Sequence, residues 1–298
     1  MLLSYLQRKM ILKQHIFMSL QYNEFYHERT GLTIGLKKLL YSKQSEYQLT
    51  EVYETDTWGN LMIIDGMVML SEKDEFVYHE MIAHTALFSH PNPERVLIIG
   101  GGDGGTAREV MKHPAVQHLD MVEIDRNVVE ASRLHFPDVG DFENPKINLL
   151  FEDGIAFVKN VTEPYDVIII DGSDPVGPAE GLFKKEFYQS CYEALNEDGI
   201  LTSQTESPWV KSYHQSIQAV FRNLKELFPV SSMYLCFIPL YPAGMWSMAF
   251  ASKKYEACDS VVEERIKSST FAGNLRYYNS EIHYASFALP NFVKDIVR

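Results

Sequence analysis

Residues Arg95–Val110 read RVLIIGGGDGGTAREV, an apolar run followed by a glycine-rich turn and an amphipathic segment. The apolar run predicts a buried strand, and the amphipathic segment predicts a helix that begins near Thr106. Glycines in a turn between a strand and a helix let the backbone approach a bound ligand closely, beside the N-terminus of the helix. The stretch therefore predicts a nucleoside-binding loop, with Gly101 and Gly102 among its binding residues.

Strands and helices alternate along the chain after this loop. Further strands are predicted in four apolar runs, each followed by an amphipathic segment: HLDMVEID, INLLF, YDVIIID and GILTSQ. Strict alternation of strand and helix indicates βαβ units around a parallel sheet with right-handed crossovers. The predicted fold class is therefore α/β with a doubly wound, Rossmann-like sheet, in which ligands bind at the carboxyl ends of the strands.

A different pattern precedes the loop. Within Leu32–Leu70, the short runs YQLTEVYET, LMIID and MVML are separated by Gly, Asn and Asp, which is typical of hairpins in a small antiparallel sheet. Helical spacing follows over Asp74–Ser89, and the prolines of HPNPER mark the change of pattern. We therefore predict an N-terminal extension and small β domain over residues 1–72, and a Rossmann-like catalytic domain over residues 73–298.

The charge of the chain narrows the classes of partner. There are 27 Lys and Arg residues against 40 Asp and Glu residues, a formal net charge of −13. Binding to nucleic acid or to an anionic membrane depends on a basic surface, so the charge argues against both. It favours a cationic or amine-bearing small molecule, although a negative charge also serves solubility alone.

Targeting and metal-binding signals are weak. The start of the chain, Met1–Leu20, lacks the cleavage site of a signal peptide, and two interpretations remain for it, a helical extension or a start at Met18. The uncharged stretch Leu227–Ser252 is broken by prolines and a glycine, so we do not expect a membrane span. Three cysteines without CxxC or Cys/His metal spacing argue against structural zinc and a disulfide framework, and favour a reducing, cytoplasmic setting.

Glu123, in the segment MVEID, lies at the end of the second predicted strand, about 20 residues after the glycines. An acidic side chain at this place accepts hydrogen bonds from both ribose hydroxyls. We place the neighbouring Ile124 in the same site, and we predict that Asp125 caps the next helix. No P-loop lysine accompanies the glycines, so phosphoryl transfer has little support.

Two further carboxylates follow strands. Asp103, in the middle of the glycine loop, would repel a phosphate or carboxylate group and attract a protonated amine; a turn or capping role is the alternative. Asp153, in the segment EDG, can accept a hydrogen bond from the exocyclic amine of adenine or cap the helix that follows, and the local sequence supports both readings equally.

The loop after YDVIII carries a pair of acids. Asp171 and Asp174 lie in DGSDPVGP, which Pro175 and Pro178 stiffen. Two carboxylates held in one cleft are costly, and a cationic ligand would relieve that cost. The pair therefore predicts an amine-binding function for this loop.

Together these motifs resemble the spermidine synthases, a family of polyamine aminopropyltransferases. The resemblance rests on segments in matching order: DEFVYHEM, VLIIGGGDGGTAREV, MVEID, EDG, IIIDGSDPVGPAEGLF, LYPAGMW and YYNSEIHYASFALPNFV. It covers the chain from about Gln21 to Val293 and leaves out Met1–Phe17. It implies a methyltransferase-type Rossmann-like domain, an N-terminal β domain on the side of the oligomer contacts and the substrate lid, and a homodimer or homotetramer.

The resemblance also implies the reaction. The aminopropyl group of decarboxylated S-adenosylmethionine, the co-substrate, is transferred to putrescine, giving spermidine and methylthioadenosine, with no cofactor and no metal. The residues that match the nucleoside site of the family are Gln48 and Glu123 for the ribose, Asp153 and Gly154 for the adenine, and Pro178 against the nucleoside.

The amine side of the site is implied in the same way. His79, Asp103 and the segment from Asp171 to Asp174 match the lining of this side, and the positions of the diamine site are matched by Tyr78, Gln204 and Tyr241. Asp171 matches the catalytic acid of the family, and with Tyr78 it is expected to take a proton from the attacking nitrogen. Asp174 would hold the distal ammonium, and Asp103 would pair with the aminopropyl ammonium and repel the carboxylate of intact S-adenosylmethionine.

Two departures from the family pattern leave alternatives open. Met69 stands where many members carry Gln, and Gly172 stands where they carry Ser, Thr or Cys, so cadaverine and agmatine remain alternative acceptors. A methyltransferase of the same fold is opposed by Asp103 and the acidic pair. A non-catalytic binder of nucleosides or polyamines is opposed by the intact Asp171 and Tyr78, although Tyr78 and Tyr241 could also be core aromatics.

Overall fold

The computed structural model describes residues 20–27, 30–173 and 181–298. Its N-terminal part is an antiparallel sheet whose strands lie in chain order: β1 (Leu20–His27), β2 (Thr30–Gln44), β3 (Leu49–Thr55), β4 (Asn60–Ile64) and β5 (Met67–Ser71). The three runs quoted above form β3, β4 and β5. The prediction did not include β1. This strand pairs with β2, a long strand in which register shifts opposite β3 break the alternation of inward and outward residues, so the sequence of this region lacks a regular two-residue pattern.

A larger sheet follows, with the strand order β11-β12-β10-β9-β6-β7-β8. Its strands are β6 (Arg95–Gly100), β7 (His118–Val122), β8 (Ile147–Leu150), β9 (Tyr165–Asp171), β10 (Leu195–Glu206), β11 (Val230–Phe237) and β12 (Met245–Ser252). Strands β6 to β10 are parallel, whereas β12 and β11 add an antiparallel edge. The predicted α/β class, with a preceding antiparallel β domain, is confirmed.

The helices of the described ranges lie between and after these strands. They are α1 (Glu75–Ser89), α2 (Gly105–Met111), α3 (Arg126–His135), α4 (Gly154–Val158), α5 (Lys185–Glu193), α6 (His214–Leu227), α7 (Ser260–Ser268), α8 (Ser280–Ser286) and α9 (Asn291–Val297). Within those ranges no helix is long and apolar enough to cross a membrane. The uncharged stretch Leu227–Ser252 supplies β11 and β12.

The strand order places one crevice at the carboxyl edge of the larger sheet. The chain runs from β6 to β7 on one side, while β9 pairs with β6 on the other side. Adjacent strands whose connections leave in opposite directions form a topological switch point, where the loops after them splay apart. The glycine loop after β6 and the first residues after β9, Gly172 and Ser173, therefore lie on either side of the same opening.

The core lies on both faces of this sheet. Successive residues of β6 alternate between two apolar clusters, with Val96 and Ile98 on one face and Leu97 and Ile99 on the other. Helix α1 belongs to the first cluster, and every one of its residues except Phe76 is buried. A helix that is buried nearly all round is fixed by its surroundings, so α1 is a rigid platform for side chains that point toward the crevice.

One carboxylate of α1 ties the C-terminal part of the chain to this platform. Glu80 is buried and accepts hydrogen bonds from the backbone N–H groups of Arg276, Tyr277 and Tyr278, at 2.9, 2.8 and 2.8 Å. An ionised carboxylate that accepts several N–H groups makes strong, charge-assisted hydrogen bonds. Glu80 therefore binds three successive backbone N–H groups of the segment before α8 and helps to hold that segment against α1.

Substitution Glu80→Gln should destabilise the protein. A Gln side chain loses the charge and turns an N–H group toward N–H donors, which should lower the free energy of unfolding by about 2–3 kcal/mol. Urea unfolding followed by fluorescence measures this change, with Glu264→Gln on the exposed face of α7 as the matched control. Equal urea midpoints for Glu80→Gln and wild type would show that the hydrogen bonds of Glu80 do not stabilise the protein.

Candidate active site

A cavity opens at the switch point of the larger sheet. Its wall combines the loops after β6, β7, β8 and β9 with α1 and with strands β4 and β5 of the N-terminal sheet. Twelve of the residues predicted to form the site line it: Gln48, Tyr78, His79, Gly101, Gly102, Asp103, Glu123, Ile124, Asp153, Gly154, Asp171 and Tyr241. Asp174 and Pro178 lie outside the described residues.

The glycine loop is pinned to the end of β9. Gly101 N–H donates to the carbonyl oxygen of Asp171 at 2.8 Å. Gly100 has φ +88°, and a Cβ atom there would lie 2.1 Å from the same carbonyl oxygen, so only glycine allows this approach. The loop therefore has a fixed distance to Asp171, in addition to any role toward a ligand.

Glu123 presents a buried carboxyl group to the cavity. It accepts hydrogen bonds from the backbone N–H groups of Gly102, at 3.1 Å, and Asp125, at 2.8 Å. Burial is the main cause that raises the pKa of Glu123, to about 7, and the nearby charges of Asp125 and Asp171 act in the same direction. The group is therefore poised to exchange a proton near neutral pH.

Asp125 links this corner to the N-terminal sheet. As predicted, it caps α3, because its side chain accepts from Asn127 N–H at 2.9 Å. It also accepts from the Ser45 hydroxyl at 2.8 Å, and Ser45 in turn accepts from the N–H of Gln48 at 3.1 Å. This chain of contacts links the backbone of Gln48 to Asp125, whose N–H binds Glu123, and both Gln48 and Glu123 line the cavity.

Asp153 has the capping role that was one of its two predicted readings. Its side chain accepts from Ile155 N–H at 2.8 Å at the start of α4. Asp153 is exposed and lines the cavity together with Gly154. The cap fixes the carboxylate at the cavity wall, and a contact to adenine stays a prediction.

Asp171 receives a hydroxyl on each of its carboxyl oxygens. Tyr78 donates to Oδ1 at 2.7 Å, and Thr106 donates to Oδ2 at 2.6 Å. Burial and the charge of Asp103 raise the pKa of Asp171 above the ordinary carboxyl range. Burial and the charge of Asp171 also hold the pKa of Tyr78 well above its usual value, so the phenol stays a neutral donor.

Asp103 faces a histidine. Its Oδ1 lies 3.1 Å from Nε2 of His79 and accepts from Gly105 N–H at 2.6 Å. On its other side, His79 places Nδ1 2.6 Å from a carboxyl oxygen of Glu75. Burial opposes charge on His79, but Asp103 and Glu75 outweigh it and raise the pKa of the imidazole to about 10. The pair is therefore a carboxylate with an imidazolium partner.

Tyr241 and Gln204 occupy different surroundings. Tyr241 donates to the carbonyl oxygen of Met69 at 2.8 Å, and its ring centroid lies 5.9 Å from that of Tyr78. The structure does not bring Gln204 into the cavity lining. Gln204 is 3% exposed, and its side chain donates to the carbonyl oxygens of Gly172 and Ser173, so it holds the two residues that follow β9.

Two polar residues of the site were missed in the sequence. Glu75, which lines the cavity, stands one helical turn before His79, a spacing that signals a side-chain pair on one face of a helix. Thr106 is the second residue of α2, and no local pattern distinguishes its hydroxyl from that of an ordinary first-turn threonine. Among the described residues, no group of His, Cys, Asp and Glu has an arrangement that would hold a metal ion.

Two family models match the chain. The spermidine synthase tetramerisation domain covers residues 21–72, and the spermine/spermidine synthase domain covers residues 75–261. The polyamine aminopropyltransferase of Alkaliphilus metalliredigens is 45% identical, over 93% of this chain and 98% of its own length. That of Bacillus subtilis is 44% identical, over 94% of this chain and 99% of its own length.

Solved structures agree with these matches. A crystal structure of spermidine synthase in complex with the transition-state analogue AdoDATO superposes with a TM-score of 0.90 at 41% identity, covering 94% of this chain and 96% of that one. Spermidine synthase from Thermotoga maritima gives a TM-score of 0.87 at 40% identity, covering 94% and 95%. The methyltransferase-type form of the predicted sheet is thereby confirmed.

The carboxyl group of Glu123 should titrate with a midpoint of about 7 in the free protein. Its pKa is raised, so the group binds a proton as the pH falls through that midpoint, whereas an ordinary glutamate does so nearer pH 4. Carbon-13 NMR of Glu-labelled protein measures the titration, and the resonance is assigned by its loss in Glu123→Gln. A midpoint below about pH 5 would refute the effect of burial on this group.

Proposed function

The chain belongs to the spermine/spermidine synthase family, and on this basis we propose that it transfers the aminopropyl group of decarboxylated S-adenosylmethionine to putrescine, giving spermidine and methylthioadenosine. The observation that carries the proposal is one cavity wall with two groups of polar side chains, which we assign to a nucleoside end and an amine end. Glu123 and Gln48 supply hydrogen-bonding groups to the first, and Asp103 and Asp171, with the Tyr78 hydroxyl bound to Asp171, make the second acidic. A relative of known structure holds a transition-state analogue, AdoDATO.

The nucleoside end would hold the donor. Glu123 accepts hydrogen bonds from the ribose hydroxyls, and the amide of Gln48 can accept from them or donate to them. Asp153 accepts a hydrogen bond from the exocyclic amine of adenine. Gly101, Gly102, Ile124 and Gly154 form the adjoining wall. Pro178, outside the described residues, is proposed to pack against the nucleoside.

The amine end would hold the reacting groups. Asp103, supported by His79, pairs with the ammonium of the aminopropyl chain. Asp171 and Tyr78 face the attacking nitrogen, and Tyr241 forms the wall beside Tyr78. Asp174, outside the described residues, is proposed to hold the distal ammonium of putrescine, and Gln204 supports the loop that carries it.

The chemistry needs orientation more than activation of the donor. The sulfonium is already a good leaving group, so a neutral amine held in line with the methylene carbon beside sulfur forms the new C–N bond as the C–S bond breaks. The bonding electrons stay on sulfur and leave neutral methylthioadenosine. The nitrogen then carries one proton more than the amine product, and that proton passes to a base. No metal or cofactor is required for these steps.

Asp171 is suited to be that base. An ordinary carboxylate is a poor match for an amine whose pKa is near 10, but the pKa of Asp171 is raised, which narrows the gap. The hydroxyls of Tyr78 and Thr106 orient both carboxyl oxygens. Until the proton moves, the negative charge of Asp171 also stabilises the positive charge that develops on nitrogen.

Assembly and location complete the proposal. We propose a homodimer or homotetramer built through the N-terminal sheet, which matches a tetramerisation-domain model and leaves Leu20 and Phe25 of its edge strand exposed. Two of the three free thiols, Cys191 and Cys236, are buried, which fits a reducing, cytoplasmic setting. Small-molecule substrates, and neither nucleic acid nor membrane, are the proposed partners.

A product assay tests the reaction. Purified protein with decarboxylated S-adenosylmethionine and putrescine should yield methylthioadenosine and spermidine in equal amounts, measured by mass spectrometry. Cadaverine and agmatine in parallel reactions rank the acceptors, and intact S-adenosylmethionine tests methyl transfer. Absence of methylthioadenosine with every amine would exclude aminopropyl transfer, and a methylated amine would indicate a methyltransferase.

Substitution Asp171→Asn tests the assigned base. The variant should lose activity by about 100- to 10,000-fold, because the base and its charge are removed together. Its affinity for methylthioadenosine should stay near that of wild type, measured by calorimetry. Asp295→Asn, at an exposed carboxylate of α9, is the matched control. An activity of Asp171→Asn equal to that of the control would exclude the role.

The rate of the wild-type protein should rise with pH. The neutral, reactive fraction of the diamine increases with pH, and ionisation of Asp171, whose pKa is raised, acts with the same sign because only the carboxylate can accept a proton. Rates measured at saturating donor between about pH 6 and pH 9 check this. A flat profile would show that neither deprotonation limits the rate.

A further inference from the structure

A buried chain of charged side chains runs between α1 and α2 and ends at Asp103. Glu75 contacts Nδ1 of His79 at 2.6 Å, and Nε2 of the same ring contacts Asp103 at 3.1 Å. Glu75 and His79 are both buried. The imidazole is thus held between two carboxylates, one on its own helix and one on the glycine loop.

Arg108 extends this chain on the far side of Glu75. Its guanidinium donates to both carboxyl oxygens of Glu75, at 3.2 and 2.9 Å. It also donates to the carbonyl oxygen of Val139 at 2.8 Å and to Glu109 at 2.7 Å. A fork-shaped cation with four acceptors fixes the carboxylate that it binds. Glu75 is therefore oriented by α2 although it belongs to α1.

Gly105 shows that His79 is fitted to this place. A Cβ atom at Gly105 would lie 2.3 Å from ring atoms of His79. Any larger residue at the start of α2 would push the ring out of line between Glu75 and Asp103. The close approach of helix and ring is thus part of the arrangement that brings His79 within hydrogen-bonding distance of the loop.

We propose that Glu75 and Arg108 are positioning residues that, through His79, hold Asp103 ionised and aimed at the aminopropyl ammonium of the donor. The inference rests on the proposed function for the identity of that ammonium. Neither residue needs to touch the reacting atoms. Substituting them should weaken the binding of the donor, which has a free amine, and leave the binding of nucleosides without that amine unchanged.

The charges around His79 support this role. Glu75 on α1 and Asp103 on the glycine loop face the ring directly, Tyr78 stands beside it on α1, Arg108 lies behind Glu75 on α2, and Asp171 faces it from β9. Without the charge of Glu75, the pKa of His79 should fall, because burial lowers this pKa and only Asp103 would remain to raise it. A neutral ring would leave Asp103 without its counter-ion.

Substitution Glu75→Gln tests the proposal through a pair of ligands. The affinity for decarboxylated S-adenosylmethionine should fall by about tenfold or more, because Asp103 loses its charged support. The affinity for methylthioadenosine, which lacks the aminopropyl group, should change by less than about twofold. Calorimetry measures both, and Glu130→Gln, an exposed carboxylate paired with Lys43, is the matched control. Equal losses for the two ligands, or no loss for either, would overturn the proposal.

NMR titration of the imidazoles gives a readout that needs no substrate. In wild type the His79 ring should stay protonated to about pH 9, and in Glu75→Gln it should titrate at lower pH. The resonance is assigned with His79→Gln. An unchanged His79 titration in Glu75→Gln would overturn the proposal. If the titration shifts but the wild-type protein binds neither decarboxylated S-adenosylmethionine nor methylthioadenosine, only the proposed function would be excluded.

A second variant covers the case in which Glu75→Gln does not fold. Arg108→Lys keeps the charge but loses the fork that binds both oxygens of Glu75. We expect a selective but smaller loss of affinity for the donor, with methylthioadenosine again spared. An affinity for the donor equal to that of wild type in folded Arg108→Lys would exclude Arg108 from the positioning role.

Discussion

Several carboxyl groups border one cavity, and for four of them the cost of holding their charge away from water shapes the surrounding contacts. Glu75, Asp103, Glu123 and Asp171 all line this cavity. A buried carboxylate must be hydrogen-bonded or paired, or it takes up a proton. The four groups differ in the partners that stabilise them, and these partners determine whether each group stays ionised or can bind a proton.

Two of the four have cationic partners. Arg108 binds Glu75, and His79 binds Asp103, so these acids and bases cancel in charge inside the protein. Glu123 has two backbone N–H donors and Asp171 has two hydroxyl donors, and neither set neutralises a charge. Consistently, the pKa is raised for Glu123 and Asp171 and lowered for Asp103. The two groups without a cation are therefore those whose protonated form is favoured relative to an ordinary carboxyl group.

Much of the fold could be predicted because it follows from the local spacing of apolar and turn-forming residues. The alternation from Arg95 onward predicted the parallel strands β6 to β10, but not the antiparallel edge formed by β12 and β11. The rule for switch points placed the loops with Asp103 and Asp171 at one opening. What was missed depends on contacts between distant segments. The register of β1 on β2, the Thr106 hydroxyl on Asp171 and the fork of Arg108 on Glu75 leave no periodic trace in either partner. Gln204 shows the same limit, because a strand position does not reveal whether its side chain enters a cavity or supports the loop above it.

The division of charge also answers a difficulty in using one acidic cluster for both binding and proton transfer. A carboxylate that pairs tightly with an ammonium has its pKa lowered and becomes a weaker base. Asp103 already has a permanent cation in His79, so its ionised state does not depend on the ligand, and it is suited to binding. Asp171 is held only by the neutral hydroxyls of Tyr78 and Thr106, and its raised pKa leaves it suited to accept a proton. Gly101 N–H donates to the backbone carbonyl oxygen of Asp171, so the glycine loop that carries Asp103 is tied directly to the strand end that carries Asp171.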